Sequence, residues 1–162
     1  IGLDYHWDVE PRDVQKKWFI RQMELARELG LPIAVHSRDA AKDTFDLIAE
    51  YGKELSGVIH CYSYSPEMAA EYVKMGYHIG LGGVVTFKNA KKAKETAGKI
   101  PLERIVLETD CPYMAPVPFR GKRNCSAYID YVADEIGRIR GISKEEVIAV
   151  TERNAKRLFT IS

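Results

Sequence analysis

The sequence predicts an α/β protein with a parallel sheet, and three observations support this class. Short apolar runs alternate along the chain with longer segments in which apolar residues recur at helical spacing. The helical segments, at about 10 to 15 residues, are long enough to carry the chain between two parallel strands. Several apolar runs also end in polar residues, as in IVLETDCPY and PIAVHSRDA. In a parallel sheet wound in one sense, these ends meet at one edge.

The first half of the chain predicts three strands and two helices. Gly30 and Gly52 each follow a run with helical spacing, and glycine at that position is typical of a helix end. Asp39 or Ser37 is placed to cap the second helix. In chain order the elements are a short strand at 1–4, a helix at 14–29, a strand at 32–36, a helix at 40–51 and a strand at 57–60.

The second half predicts two further strands and four helices. Pro66 suits the first turn of a helix, and Ser143 with Glu146 has the spacing of a capping box. The lysines of a basic helix, Lys94 among them, are interpreted as a solvated face. In chain order the elements are a helix at 66–75, a glycine-laced strand at 77–87, the basic helix at 90–99, a strand at 105–107, and helices at 127–140 and 143–150.

The composition is that of an ordinary globular chain. Its 162 residues are 46% hydrophobic and 29% charged, which is enough for one domain or part of one. The formal net charge of +1 argues against wholesale wrapping of nucleic acid but leaves room for a local basic patch. The three cysteines have no CxxC spacing, which favours a reduced, cytoplasmic protein. No apolar stretch approaches the about 18 residues of a membrane span, so we expect no membrane partner.

The polar strand ends favour a barrel over a nucleotide-binding sheet. No predicted strand is followed by a glycine-rich phosphate loop or by GxGxxG. In a TIM-type (β/α)8 barrel the active site lies at the C-terminal ends of the strands. Such a barrel needs eight strands and about 250 residues, whereas this chain has five predicted strands. We therefore predict that residues 1–162 form a single domain that covers about the last five strands of the barrel and lacks the first ones.

Three strand ends supply the candidate site. His36, His60 and Asp110 each follow an apolar run, so a barrel would direct them into one mouth. Two neutral imidazoles and a carboxylate make a mixed nitrogen and oxygen site for zinc, manganese or magnesium, with positions left for water. A divalent metal lowers the pKa of its bound water and polarises a carbonyl or phosphoryl oxygen. The predicted chemistry is therefore metal-assisted hydrolysis.

Two arginines are candidate phosphate ligands. Arg38 lies two residues beyond His36 and can bind a phosphate bidentately; the alternative is an ion pair with Asp39 or Asp43. Arg120 belongs to the FRGKRN loop that follows the strand before Asp110. In a barrel that loop borders the mouth, where it either contacts phosphate or forms a solvated basic loop.

Four further side chains have secondary interpretations. Trp7 and Tyr113 either stack on nucleobases near the mouth or serve in packing. Glu108 and Asp4 are candidates for hydrogen bonds to the ligands rather than for ligation itself.

Six motifs together resemble one known family. In order they are IGLDY, PIAVHSRDA, GVIHCYS, ETDCPYMAP, RGKRN and TERNAKRLF. They are similar, in order and spacing, to the TatD family of metal-dependent deoxyribonucleases, which belongs to the amidohydrolase-like group. The resemblance implies a TIM-type barrel, one or two divalent metals, and hydrolysis of phosphodiester bonds in a DNA substrate. It also implies that His36 and His60 are ligands of one metal, and that Asp110 is a ligand of the other and a candidate general base.

Two elements of the family pattern are not found in the given sequence. The family has a His-x-His pair on its first barrel strand and a glutamate directly before the Ile-Gly-Leu-Asp motif, whereas this sequence starts at Ile1. We expect the missing barrel half to be supplied in cis or by a second chain. We also expect the chain alone to self-associate through its open sheet edges. The alternatives are an inactive barrel fragment or interaction module without a complete metal site, and an amidohydrolase-type esterase or lactonase.

Overall fold

The predicted α/β class and the parallel sheet are confirmed. The computed structural model describes residues 1–7 and 9–161. Its strands are Gly2–Asp4 (β1), Ile33–Arg38 (β2), Gly57–Ile59 (β3), His78–Leu81 (β4) and Ile105–Leu107 (β5). Within the described residues these strands form one five-stranded sheet in which every neighbouring pair is parallel and the strand order follows the chain.

In the described residues, four helices connect consecutive strands and two more follow the last strand. They are Arg12–Leu29 (α1), Ala41–Tyr51 (α2), Pro66–Lys74 (α3), Lys91–Lys99 (α4), Ile129–Arg140 (α5) and Lys144–Phe159 (α6). Short 3-10 turns occur at Gly83–Thr86, Leu102–Arg104 and Ser126–Tyr128. In the described part of the chain, no helix has both the length and the apolar character needed to cross a membrane.

The main core lies between the sheet and the helices that cover it. One side chain from each strand is almost completely buried there: Leu3, Val35, Ile59, Ile79 and Ile105. Successive residues of a strand point to opposite faces, and Val58 and Val106 accordingly form a second, smaller cluster with Leu158 of α6. In β2 the same alternation buries Val35 and leaves His36 exposed, two residues before the strand ends at Arg38.

Two of the predicted helix ends are confirmed, and one helix is longer than predicted. Gly30 ends α1 in the left-handed conformation, with φ 64°. Ser143 begins α6 as its side chain accepts a hydrogen bond from the backbone N–H of Glu146 at 3.1 Å. The prediction that this helix ends at residue 150 is wrong. Its buried face continues through Thr151 and Asn154 at helical spacing, although polar residues there interrupt the apolar pattern.

Two local predictions are wrong for identifiable reasons. Neither Asp39 nor Ser37 caps α2, because Ala40 occupies the N-cap and no side chain caps it. The Ser37 hydroxyl instead lies 2.9 Å from that of Thr44. The glycine-laced strand ends at Leu81 rather than near residue 87. The chain turns at Gly83, where it passes close to the backbone of Met114. A Cβ at Gly83 would lie 2.0 Å from the Met114 carbonyl oxygen, so the position requires glycine.

Candidate functional site

The C-terminal ends of β2, β3 and β5 bring the predicted site residues together. His36, His60 and Asp110 all line one cleft of about 300 Å³. Arg38 and Met114 line the same cleft. The predicted convergence is therefore found in the fold, while ligation of a metal by these residues stays a prediction.

A carboxylate holds the ring of His36. His36 Nε2 donates to Asp4 Oδ2 at 2.9 Å, between the ends of the paired strands β1 and β2. Burial disfavours the charged form of Asp4, but hydrogen bonds from His36 and from the backbone of Trp7 and His6 outweigh it, and together they lower the pKa of this carboxyl. The bond engages Nε2 and leaves Nδ1 as the nitrogen through which His36 can bind a metal.

A second carboxylate holds the ring of His60. His60 Nδ1 donates to Glu108 Oε2, and the other oxygen of Glu108 accepts the backbone N–H of Cys61. The hydrogen bond to Glu108 is the main cause that raises the pKa of His60; burial opposes it and the charge of Asp110 adds to it. The ring is therefore fixed through Nδ1, with Nε2 directed to Asp110 Oδ1 at 3.3 Å.

A glycine makes room for the carboxylate of Glu108. A Cβ at Gly80 in β4 would lie 2.8 Å from Glu108 Oε1 and 3.1 Å from the carbonyl oxygen of Ile59. Gly80 was not among the predicted site residues. Its only signal in the sequence is the glycine-laced character of the strand, which does not reveal which side chain needs the space.

One pair of donor atoms in the cleft has the separation of two ligands of the same divalent ion. Two ligand atoms each about 2.05 Å from a tetrahedral ion lie about 3.3 Å apart, and His60 Nε2 and Asp110 Oδ1 have this separation of 3.3 Å. The rings of His36 and His60 have centroids 6.4 Å apart. Among residues 1–7 and 9–161, no group of three or more histidine, cysteine, aspartate or glutamate side chains is arranged to hold a metal ion.

Arg38 makes neither of the ion pairs that were considered as alternatives to phosphate binding. The carboxylate of Asp43 pairs with Lys16 at 2.6 Å, and that of Asp39 lies 3.1 Å from His6 Nδ1. The Arg38 guanidinium carbon lies 5.6 Å from the centroid of the Trp7 ring. Arg38 therefore extends along the cleft towards an aromatic side chain.

The loop after β5 places the remaining candidates outside the cleft lining. Arg120 stacks over Phe87, with its guanidinium carbon 4.3 Å from the ring centroid, and Tyr113 is 71% exposed. The loop is fastened by Asn124, a buried residue that the sequence did not single out. Its side-chain amide donates to the carbonyls of Thr109 and Tyr113, each at 2.7 Å.

The fold and the site define a class of protein: an α/β protein with a parallel sheet and a cleft at its C-terminal edge that combines histidines and carboxylates. The chain belongs to the TatD family, since the family model described as TatD related DNase matches residues 1–160. The resemblance that the six motifs predicted is thereby confirmed.

Relatives and a solved structure agree with this assignment. The chain is 48% identical over 163 aligned residues to YabD of Bacillus subtilis, which is named an uncharacterized metal-dependent hydrolase. The alignment covers 100% of this chain and 64% of that protein. The chain is 40% identical to YcfH of Escherichia coli K12, which carries the same description, over 99% of this chain and 61% of that protein. The crystal structure of YjjV, a TatD homolog from Escherichia coli K12, superposes with a TM-score of 0.92 at 29% identity, over 100% of this chain and 62% of that one. The chain thus spans less than two thirds of the length of these relatives.

Proposed function

We propose that this chain carries the central residues of a divalent-metal-dependent hydrolase that cleaves phosphodiester bonds in DNA. The observation that carries the proposal is the convergence of His36, His60 and Asp110 in one cleft, with each imidazole held by a carboxylate. The names of the relatives, metal-dependent hydrolase, and the family description, DNase, support the reaction and the substrate.

His36, His60 and Asp110 would hold one or two ions of zinc, manganese or magnesium. A bound divalent ion lowers the pKa of its water and polarises a phosphoryl oxygen. Asp4 and Glu108 fix the imidazoles in single orientations and tautomers, since a carboxylate only accepts hydrogen bonds.

Asp110 is the proposed general base. Its carboxylate borders the cleft and is about one third exposed, so it is reached by water and can take the proton that the attacking water loses. Arg38 supplies a permanent positive charge in the same cleft and would orient the phosphate bidentately. Arg120, outside the cleft lining, would contact a neighbouring phosphate.

The proposal extends to the architecture and setting of the whole protein. The five strands would be the last five of a TIM-type barrel in which residues 1–162 belong to a single domain. The parallel strands in chain order and the superposition on YjjV support the barrel-like arrangement. The remaining strands would come in cis or from a second chain. A cytoplasmic location remains part of the proposal, supported by three cysteines that are all free.

The test compares three ester classes under defined metal. Purified protein is reconstituted with manganese or zinc and assayed on a DNA oligonucleotide, bis(p-nitrophenyl) phosphate, p-nitrophenyl acetate and a lactone. We expect cleavage of both phosphodiesters, its loss on chelation, and a decrease of at least about 100-fold in Asp110→Asn. Activity confined to the acetate or the lactone would indicate the esterase or lactonase instead. Absence of any hydrolysis together with absence of bound metal would indicate the interaction module.

A further inference from the structure

A large aromatic side chain stands exposed beside the candidate site. Trp7 follows β1 at the C-terminal edge of the sheet, and 68% of the residue is accessible to solvent. An exposed indole offers a flat face on which another ring can stack. Trp7 therefore has the exposure that the stacking interpretation requires.

The backbone that carries the indole is held in place by hydrogen bonds. One oxygen of Asp4 accepts the backbone N–H groups of His6 at 3.0 Å and Trp7 at 3.2 Å. The other oxygen of the same carboxylate accepts the bond from His36 Nε2 at 2.9 Å. The His6 ring meets the indole edge-on, with centroids 5.0 Å apart. A single carboxylate thus fixes the turn that carries Trp7 relative to a candidate metal ligand.

Arg38 connects this aromatic side chain with the cleft. Its guanidinium carbon lies 5.6 Å from the indole centroid, and its side chain lines the same cleft as His60 and Asp110. In the described residues it forms no ion pair with a carboxylate, although an arginine at a sheet edge has many opportunities to do so. Its charge therefore remains free for an anionic ligand next to the indole.

We infer that Trp7 and Arg38 together bind one nucleotide, with its base stacked on the indole and its phosphate held by the guanidinium. This inference rests on the proposed function for the choice of a nucleic-acid ligand. Stacking on an aromatic ring tolerates every base, because each has a flat π-face. The pair accordingly discriminates between a nucleotide and the same sugar phosphate without its base.

The two tryptophans of the chain allow a direct test. Trp18, on α1, is 60% exposed and lines a different hollow with Arg21 and Leu25. Trp18→Phe leaves Trp7 as the sole indole of this chain, and Trp7→Phe leaves Trp18 as its matched control. Each variant is titrated, in the presence of chelator to prevent turnover, with thymidine 5′-monophosphate and with 2-deoxyribose 5-phosphate while indole fluorescence is followed.

We expect thymidine 5′-monophosphate to quench the Trp18→Phe protein and to leave the Trp7→Phe protein unchanged. The sugar phosphate, which has no base, should bind about 5- to 150-fold more weakly, the range that corresponds to the loss of one stacked base. Arg38→Ala should weaken binding of both compounds, and Arg38→Lys should restore part of it. Equal affinity for the two compounds, quenching of Trp18, or no binding at all would overturn the inference.

The outcome is separable from that of the proposed function. Hydrolysis of DNA without quenching of Trp7 would remove the stacking site and leave the hydrolase proposal standing. Base-dependent quenching in a protein that hydrolyses no phosphodiester would contradict the proposed function while supporting nucleotide binding at Trp7.

Discussion

Glu108 shows how a residue outside the ligand set shapes the candidate site. Its two oxygens bind His60 Nδ1 and the backbone N–H of Cys61 at the same time. This carboxylate lies against Gly80 and occupies the space that a side chain at that position would take. The orientation of His60 therefore depends on a residue of the neighbouring strand β4 that carries no functional group.

Replacement of Glu108 or enlargement of Gly80 should weaken metal binding in the same way. Glu108→Gln leaves one acceptor oxygen for the two donors His60 Nδ1 and Cys61 N–H and removes the negative charge beside the ring. Gly80→Ala places a methyl group 2.8 Å from Glu108 Oε1. Loss of such an outer hydrogen bond typically lowers metal affinity by about 10- to 100-fold, which titration calorimetry with manganese or zinc measures.

Gly98→Ala is the matched control for the glycine variant. Its new methyl group would lie 3.5 Å from Ile139, an ordinary van der Waals distance, and Gly98 is inside a helix. We expect unchanged affinity there. Wild-type metal affinity in Gly80→Ala would show that the carboxylate does not control the ring of His60.

At the scale of helices, a partly buried ion pair joins α4 and α5. Lys94 lies 3.1 Å from Glu135, and Arg138 binds the same carboxylate at 2.8 Å. The prediction that Lys94 belongs to a solvated face is wrong, because α5 packs over it and leaves its side chain only 28% exposed. Lys91, on the open side of α4, is 86% exposed as predicted.

The stability of the protein should depend on pH through Glu135. Hydrogen bonds from Arg138 and then Lys94 lower the pKa of this carboxyl to about 2 from 4.5, against the opposing effect of burial. A lowered pKa means that the stabilisation is complete above about pH 4.5 and is lost as the pH falls towards about 2. We expect Glu135→Gln to cost about 1 to 2 kcal/mol at pH 7 and to lose its effect near pH 2, as measured by urea unfolding.

Glu152→Gln serves as the comparison for that experiment. Glu152 pairs with Lys156 at 2.9 Å on an exposed helix face, where ion pairs contribute little. Its replacement should change unfolding only slightly at either pH. A Glu135→Gln effect that is equal at pH 7 and pH 2 would contradict the assigned pKa.

The C-terminal half of α6 should contribute through Asn154. This buried side chain donates to the carbonyls of Leu102 at 2.8 Å and Ile105 at 2.7 Å, so it fastens the helix to the start of β5. Asn154→Ala would leave two buried acceptors without these donors and should lower the free energy of unfolding by about 2 to 3 kcal/mol. The exposed Asn89 offers Asn89→Ala as a control that should stay near wild type. Equal stability of the two variants would contradict this role.

At the scale of the whole molecule, apolar side chains gather near the β1 edge of the sheet. A hollow there is lined by Ile1, Leu25, Leu29 and Leu31, all of them exposed to solvent. Exposed strand edges and apolar patches promote association. We predict that the 162-residue chain alone self-associates in sedimentation velocity, and that Leu25→Lys reduces the association. A monodisperse wild-type monomer would contradict the prediction.

The sequence predicted the layout of the molecule better than its contacts. The positions of His36, His60 and Asp110 near the C-terminal ends of their strands were predictable because apolar runs and parallel order fix where strands finish. Gly80 and Asn154 were not, because the need for space at Gly80 and for donors at Asn154 arises from segments distant in sequence. The same holds for the extension of α6, where packing on β5 overrides an interrupted apolar pattern.

The measurement that tests the account most directly is the metal content of the chain. Wild type and His60→Ala are loaded with zinc or manganese, dialysed, and analysed for metal per protein chain. The account predicts about one or two ions per wild-type chain and a clear loss in His60→Ala, in which the ligand held by Glu108 is removed. Wild-type protein that retains no metal, or equal retention by the variant, would contradict the assignment of His36, His60 and Asp110 as a metal site.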